Sequence, residues 1–184
     1  MTQDGPSEIH GIVERPLQPN ADDRGSLIEL YRTAWTPGFA PVQWNLVHNR
    51  SNALRGFHCH VRHTDLLAIV GGSMVLGLKD LRVHSPTHDR SERLAMTHET
   101  GLVIIPPGVG HGFYFTEPAT LLNAVSHEWS KDDELGCRWD DPDLDIEWGC
   151  SDPIISQRDI EAGTLSELRT VIRRKPRHPR VPSG

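Results

Sequence analysis

Between Ser26 and Val125 the chain is a succession of apolar runs too short to be helices. SLIELY, VQWNLVH, LLAIV, SMVLGL, ERLAM, LVII, GFYF and TLLNAV are four to seven residues each, separated by Gly, Pro, Asp, Asn or Ser clusters. Many of their residues are β-branched or aromatic, types that fit a pleated, half-buried surface. Short runs at this spacing, with no helical period between them, predict an all-β sandwich or barrel. Gly71-Gly72, between LLAIV and SMVLGL, predicts a tight hairpin turn.

The pattern changes after Trp148. Ser156 stands three residues before Asp159, a capping-box-like start, and Ile160, Leu165, Leu168 and Ile172 follow at roughly helical intervals. A short C-terminal helical segment is therefore expected, with Gly163 as its weak point. A chain of 184 residues with 36% apolar composition supports one core. Residues 1–172 are expected to form that single domain. Residues 173–184 carry five of the 19 basic residues among three prolines and read as a disordered tail.

A net charge of -6 argues against a nucleic-acid partner, which requires a broad basic field. Three cysteines without metal-type pairing argue against a disulfide framework. The start MTQDGPSE lacks the basic and apolar regions of a signal peptide, and no apolar run approaches a bilayer span. The expectation is a cytoplasmic protein with no membrane partner.

Chemistry concentrates in LRGFHCHVRHTD, Leu54 to Asp65, which packs three histidines, two arginines and an acid into twelve residues. On a strand, His58 and His60 project to one side about 7 Å apart and can converge on one ion or one substrate. Asp65 follows, then Gly72; further on, GLVIIPPGVGH places His111 after a Pro-Pro-Gly turn. His48 and His63 read as surface or loop histidines.

These two segments resemble the paired motifs of the cupin superfamily, with Asp65 in place of the usual Glu and Phe115 where Asn is common. The resemblance implies a double-stranded β-helix, the cupin jelly roll. A narrower one covers Asp22 to Asp159: DDRGSLIEL, QWNLVHNRSNALRGFH, SPT, IPPGVGHGF, GCRWDDPDLDIEW and SQRD resemble the ordered landmarks of the dTDP-4-dehydrorhamnose 3,5-epimerase family. That implies an isomerase acting on a nucleotide-linked 4-keto-6-deoxyhexose at C3, C5 or both, in deoxysugar biosynthesis, without a cofactor and as a homodimer. The base matches His58 and its orienting carboxylate Asp159. Substrate-binding positions match Arg24, Glu29, Gln43, Asn45, Arg55, His111 and Asn123, with Arg24 and Glu29 reaching partly into a neighbouring subunit's site.

Departures fall on the chemistry. The family's lysine aligns with Asp65, its acid tyrosine with Asn123, and its glutamine two residues past the base with His60. The aromatic that stacks on the nucleotide base aligns near Glu128, with Trp129 next to it. A second reading is therefore a metal-dependent cupin, isomerase or oxygenase, with Fe, Mn, Ni or Zn on His58, His60, Asp65 and His111. The two readings exclude each other at one nitrogen, since a metal-bound imidazole nitrogen cannot also accept a proton. A third reading is a non-catalytic sugar-binding module.

Overall fold

The structure is a computed structural model that describes residues 6–36 and 38–175. Its strands are, in chain order, β1 (Val13–Arg15), β2 (Pro19–Asp22), β3 (Gly25–Ile28), β4 (Gln43–Asn49), β5 (Ala53–Cys59), β6 (Asp65–Gly71), β7 (Ser73–Asp80), β8 (Ser91–Thr97), β9 (Leu102–Ile105), β10 (Val109–Phe115), β11 (Ala119–Val125) and β12 (Leu135–Gly136). Helices α1 (Gln157–Ile160) and α2 (Leu165–Arg174) follow. Two five-stranded antiparallel sheets form, ordered β1-β9-β6-β11-β4 and β12-β5-β10-β7-β8, with β2 and β3 as a separate hairpin. This is the all-β double-stranded β-helix jelly roll with a short C-terminal helical segment that the sequence predicts. Among the described residues no helix is long and apolar enough to cross a membrane.

Strand alternation sorts the residues into layers. On β6, Leu67 and Ile69 face the space between the sheets, where they meet Leu76, Leu78, Met96 and Phe115 of the opposite sheet. Leu66 and Ala68 face outward and pack with Phe39 and Ile104. The outer face of the second sheet is covered by Leu144, Trp148, Leu165 and Leu168 from the C-terminal part of the chain. Each fully buried Leu or Phe contributes about 1.5–3 kcal/mol. The same inward-facing series turns polar at one end of the sandwich: Asp65 on β6, Asn123 on β11, and Gln43 and Asn45 on β4 continue the alternation into a cavity instead of the core.

Three local expectations need correction. SLIELY is a strand only through Ile28, because its partner is the short β2, whose register ends at Pro19↔Ile28. Gly71-Gly72 does not close a hairpin: β6 pairs β9 and β11 while β7 pairs β8 and β10, so the chain crosses between sheets there. Gly72 has φ +78, and a Cβ on it would stand 2.3 Å from the Pro118 carbonyl oxygen. Only glycine fits that crossing.

The third concerns the helical segment. It is broken at Gly163 as expected, but Ile160 belongs to the separate α1 and is 55% exposed rather than part of one apolar face. The Ser156 hydroxyl caps α1 by accepting from the Asp159 N–H. α2 starts on a full Thr164/Glu167 capping box and runs to Arg174, two residues past the expected domain edge. The basic tail beyond 175 lies outside the described residues.

Candidate active site

The polar end of the sandwich opens into a cavity of about 820 Å³, lined by β4, β5, β6, β10, β11 and the α1 segment. Three antiparallel strands carry a directed hydrogen-bond chain along one wall. The Trp129 N–H donates to Gln43 Oε1 (2.9 Å), Gln43 Nε2 to Asn45 Oδ1 (3.0 Å), Asn45 Nδ2 to Asn123 Oδ1 (3.1 Å), and Asn123 Nδ2 to Asp65 Oδ1 (3.1 Å). Every carboxamide in it is used at both ends, which fixes its orientation. The chain ends on the one group that can only accept.

On the facing wall, β5 brings His58 beside His111 of β10, in direct register. His58 Nε2 lies 2.8 Å from Asp159 Oδ1, and its Nδ1 is 3.6 Å from Glu134 Oε1. Arg158 Nη2 also lies 2.6 Å from His58 Nε2. One ring nitrogen cannot donate to the carboxylate and accept from the guanidinium together. A buried carboxylate can only accept, so Nε2–H is assigned to Asp159, and Arg158 to Glu134 at 3.0 Å and Asp159 at 3.5 Å. Burial works to raise the pKa of Asp159, but hydrogen bonds from His58, Ser156 and the Gly56 N–H outweigh it and hold the carboxyl below its ordinary value. His58 Nδ1 is then the nitrogen with a free lone pair.

Deeper in, His60 is 7%, His63 4% and Asp65 4% exposed. Asp65 Oδ2 is 3.0 Å from His60 Nδ1 and 3.5 Å from His63 Nε2. Burial opposes charge on His60, yet the hydrogen bond between Nδ1 and Asp65 and the Glu134 carboxylate 3.6 Å from Nε2 lift its pKa to about 9. Burial likewise opposes charge on Asp65, and the His60 hydrogen bond with the His63 imidazole 3.5 Å away overcomes it and holds the carboxyl far below the usual range. His111 is the reverse case: burial outweighs the Asp65 charge and the Val109 carbonyl 3.4 Å from Nδ1, so its pKa falls to about 4 and it is neutral at physiological pH.

Of the residues singled out from sequence, His58, Asp159, Gln43, Asn45, Arg55, His60, Asp65, His111 and Asn123 all line this one cavity. Arg55 Nε donates to Asn49 Oδ1 at 2.7 Å. Arg24 and Glu29 do not reach it within the chain; they pair with Asp22 and Arg32 on the outside. The expected metal quartet is not what converges. Among the described residues, the donors that all lie within 4.8 Å of one another come from His60, His63 and Asp65, because His58 turns to Asp159 and His111 packs against Phe113. His63, read as a surface or loop histidine, lies in the loop between β5 and β6 but is buried in that group. Sequence reasoning also missed Glu134, Asp133 and Arg158. The acid run DDEL before β12 and the basic neighbour of Asp159 were the available signals.

The chain is similar to known proteins over most of its length. Residues 6–167 match the family described as dTDP-4-dehydrorhamnose 3,5-epimerase. A dTDP-4-dehydrorhamnose 3-epimerase of Streptomyces niveus is 30% identical over 174 residues, 89% of this chain and 84% of that protein. The dTDP-4-dehydrorhamnose 3,5-epimerase of Pseudomonas aeruginosa is 32% identical over 157 residues, 79% of this chain and 86% of that one. Among solved structures, a double mutant of ChmJ, a 3'-monoepimerase from Streptomyces bikiniensis in complex with dTDP, superposes with a TM-score of 0.82 at 28% identity, covering 90% of this chain and 89% of the other. NovW, a 4-keto-6-deoxy sugar epimerase from Streptomyces spheroides, gives 0.80 at 29% identity, with 90% and 88% covered.

Proposed function

We propose, on the premise that the chain belongs to the dTDP-4-dehydrorhamnose 3,5-epimerase family, that its cavity takes a nucleotide-linked 4-keto-6-deoxyhexose and that His58 removes the proton on a carbon beside the ketone. The chain is an isomerase of the nucleotide-sugar epimerase type. The observation that carries the assignment of the base is the 2.8 Å contact between His58 Nε2 and Asp159 Oδ1 at the cavity wall.

The chemistry follows from that pair. With Nε2–H held by Asp159, Nδ1 takes the α-proton, the electron pair of the C–H bond becomes a C=C bond to the carbonyl carbon, and the carbonyl π pair moves to the oxygen to give an enolate. The imidazolium so formed lies between two carboxylates, Asp159 and Glu134, which stabilise its charge. Arg55 offers a guanidinium fork suited to the pyrophosphate, and the exposed Trp129 ring at the rim offers a stacking surface for the nucleotide base. Removal and return of a proton leaves the oxidation state of the sugar unchanged, so the reading needs no redox cofactor. Asn123 supplies hydrogen bonds but no titratable proton for the opposite face. Exchange at the abstracted position is therefore expected to outrun inversion.

Arg24 and Glu29 enter this reading through a second copy of the chain. Leu27, Trp44 and Leu46 are 62%, 45% and 59% exposed on the β3 hairpin and the outer face of the edge strand β4, which supports a homodimer formed on that side. Sedimentation is expected to give a dimer at micromolar concentration.

The test of the base is isotope exchange. In deuterated water, the wild-type protein is expected to exchange a proton at C3 or C5 of the 4-keto sugar. Asp159→Asn slows this strongly with the fold unchanged, since the amide keeps the size and loses the charge. A wild-type protein that binds the sugar nucleotide and exchanges neither proton overturns the reading.

A further inference from the structure

We propose that His60, His63 and Asp65 form a binding site for one divalent transition-metal ion, set beside the His58–Asp159 pair and not sharing a residue with it. The three side chains come from a six-residue stretch at the end of β5 and the start of β6, all buried, with donor atoms within 4.8 Å of one another. Asp65 Oδ2 stands 3.0 Å from His60 Nδ1 and 3.5 Å from His63 Nε2. Ligand atoms about 2.1 Å from an ion, at octahedral or tetrahedral angles, stand about 3.0–3.4 Å from each other. The two edges bracket that range.

The outer partners are those a metal site needs. A ligating imidazole presents one nitrogen to the ion and donates from the other to a carboxylate, which sets its tautomer. His63 Nδ1 lies 3.3 Å from Asp133 Oδ2, and that carboxylate is itself held by the Val61 and Arg62 N–H groups at 3.1 and 3.2 Å. His60 Nε2 lies 3.6 Å from Glu134 Oε2, which also accepts from the Trp129 indole. Adjacent acids of one turn thus serve the two rings. The other Asp65 oxygen is bonded to Asn123, at the end of the hydrogen-bond chain across the wall.

What the protein alone leaves undone points the same way. Among the described residues, neither His63 Nε2 nor His60 Nε2, both buried, has a hydrogen-bond partner; the nearest carboxylates stand at 3.5 and 3.6 Å. A buried orphan of this kind costs about 1–3 kcal/mol. An ion satisfies His63 Nε2 directly, and it displaces the proton between His60 Nδ1 and Asp65 Oδ2, leaving Nε2–H to turn fully to Glu134. Two imidazoles and one carboxylate select zinc, cobalt or nickel over magnesium or calcium, which take oxygen ligands. His58 keeps its lone pair because it is not a ligand, so this site and proton abstraction coexist.

The test is binding, read without any turnover. Tag-free full-length protein, stripped by chelator and transferred to metal-free buffer, is titrated with cobalt(II) chloride while its visible d–d absorption and heat of binding are followed. One equivalent is expected to bind with the intense absorption of a low-coordinate ion. His63→Ala and Asp65→Asn are expected to abolish it, His58→Ala to leave it unchanged, and Asp133→Asn to weaken it about 10–100-fold while the urea midpoint reports an intact fold. No stoichiometric binding to the wild type, binding that survives both His63→Ala and Asp65→Asn, or loss of binding in His58→Ala each overturns the proposal. Failure here leaves isotope exchange by His58 untouched, and failure of exchange leaves this titration readable.

Discussion

Two buried groups of charges lie at different places in the jelly roll, and they are finished differently. At the β7 end, Asp80 is fully buried and accepts from the Arg82 N–H (3.0 Å), Arg82 Nε (2.8 Å), Arg82 Nη2 (2.8 Å) and Thr87 Oγ1 (2.7 Å). Its lone pairs are used up within ten residues of chain. In the cavity, His60 Nε2 and His63 Nε2 are also buried, and among the described residues neither has a hydrogen-bond partner. The first group closes on itself and can act only on stability. The second holds two imidazole nitrogens and a carboxylate together in a cavity, where they can act on a ligand as well as on stability.

The largest effect that tests this contrast is on activity. His58→Ala is expected to reduce exchange by about 10²–10⁴-fold, the span of general-base catalysis, while the unfolding free energy falls by no more than about 1–3 kcal/mol, because Asp159 keeps the Arg158 guanidinium and the Gly56 N–H as partners. A large loss of stability in that variant, measured by urea unfolding, breaks the contrast. Asp80→Ala inverts the signature: it leaves Arg82 without its carboxylate and is expected to cost about 3–5 kcal/mol, with exchange per folded molecule at the wild-type level.

Acid sharpens the same point. Burial favours the neutral form of Asp80, but the bonds from Arg82, Ser85 and Thr87 prevail and lower its pKa from 3.8 to about 2. A carboxyl with a depressed folded-state pKa stabilises above its unfolded pKa and loses that contribution as pH falls through the folded one. The stability gap between wild type and Asp80→Asn is therefore expected to shrink by about 2 kcal/mol between about pH 5 and about pH 2, read by denaturant titrations along the series. The smallest effect sets the baseline of an exposed charged contact. Thr164→Ala removes the α2 capping box and is expected to cost about 1 kcal/mol, with no change in exchange.

The architecture was legible because the strands are short, apolar and separated by turn residues, and because alternation on β4, β6 and β11 puts Gln43, Asn45, Asp65 and Asn123 on one face. The His58–Asp159 pair was legible only through resemblance, since nothing local joins residues 101 positions apart. Glu134, Asp133 and His63 were not legible. Their segments carry no period, and what buries them is a distant pairing, Leu135↔Cys59 and Gly136↔His58, that draws the acidic turn over the histidines. The Gly71-Gly72 crossing was misread for a related reason: a glycine pair signals a bend, and the bend alone does not say which strand comes next.

The parallel bridge between Ala53 and Ile154 brings the α1 segment back to the start of β5, and so gives the cavity an order of assembly. Every strand of both sheets except β12 has been synthesised by Val125, whereas Glu134, Arg158 and Asp159 come later. On the ribosome, His58 therefore spends the last stage of synthesis without its carboxylates. The growing chain has its barrel strands before it has the acidic side chains that flank His58, and the final residues to be added to the cavity are the ones that orient that ring.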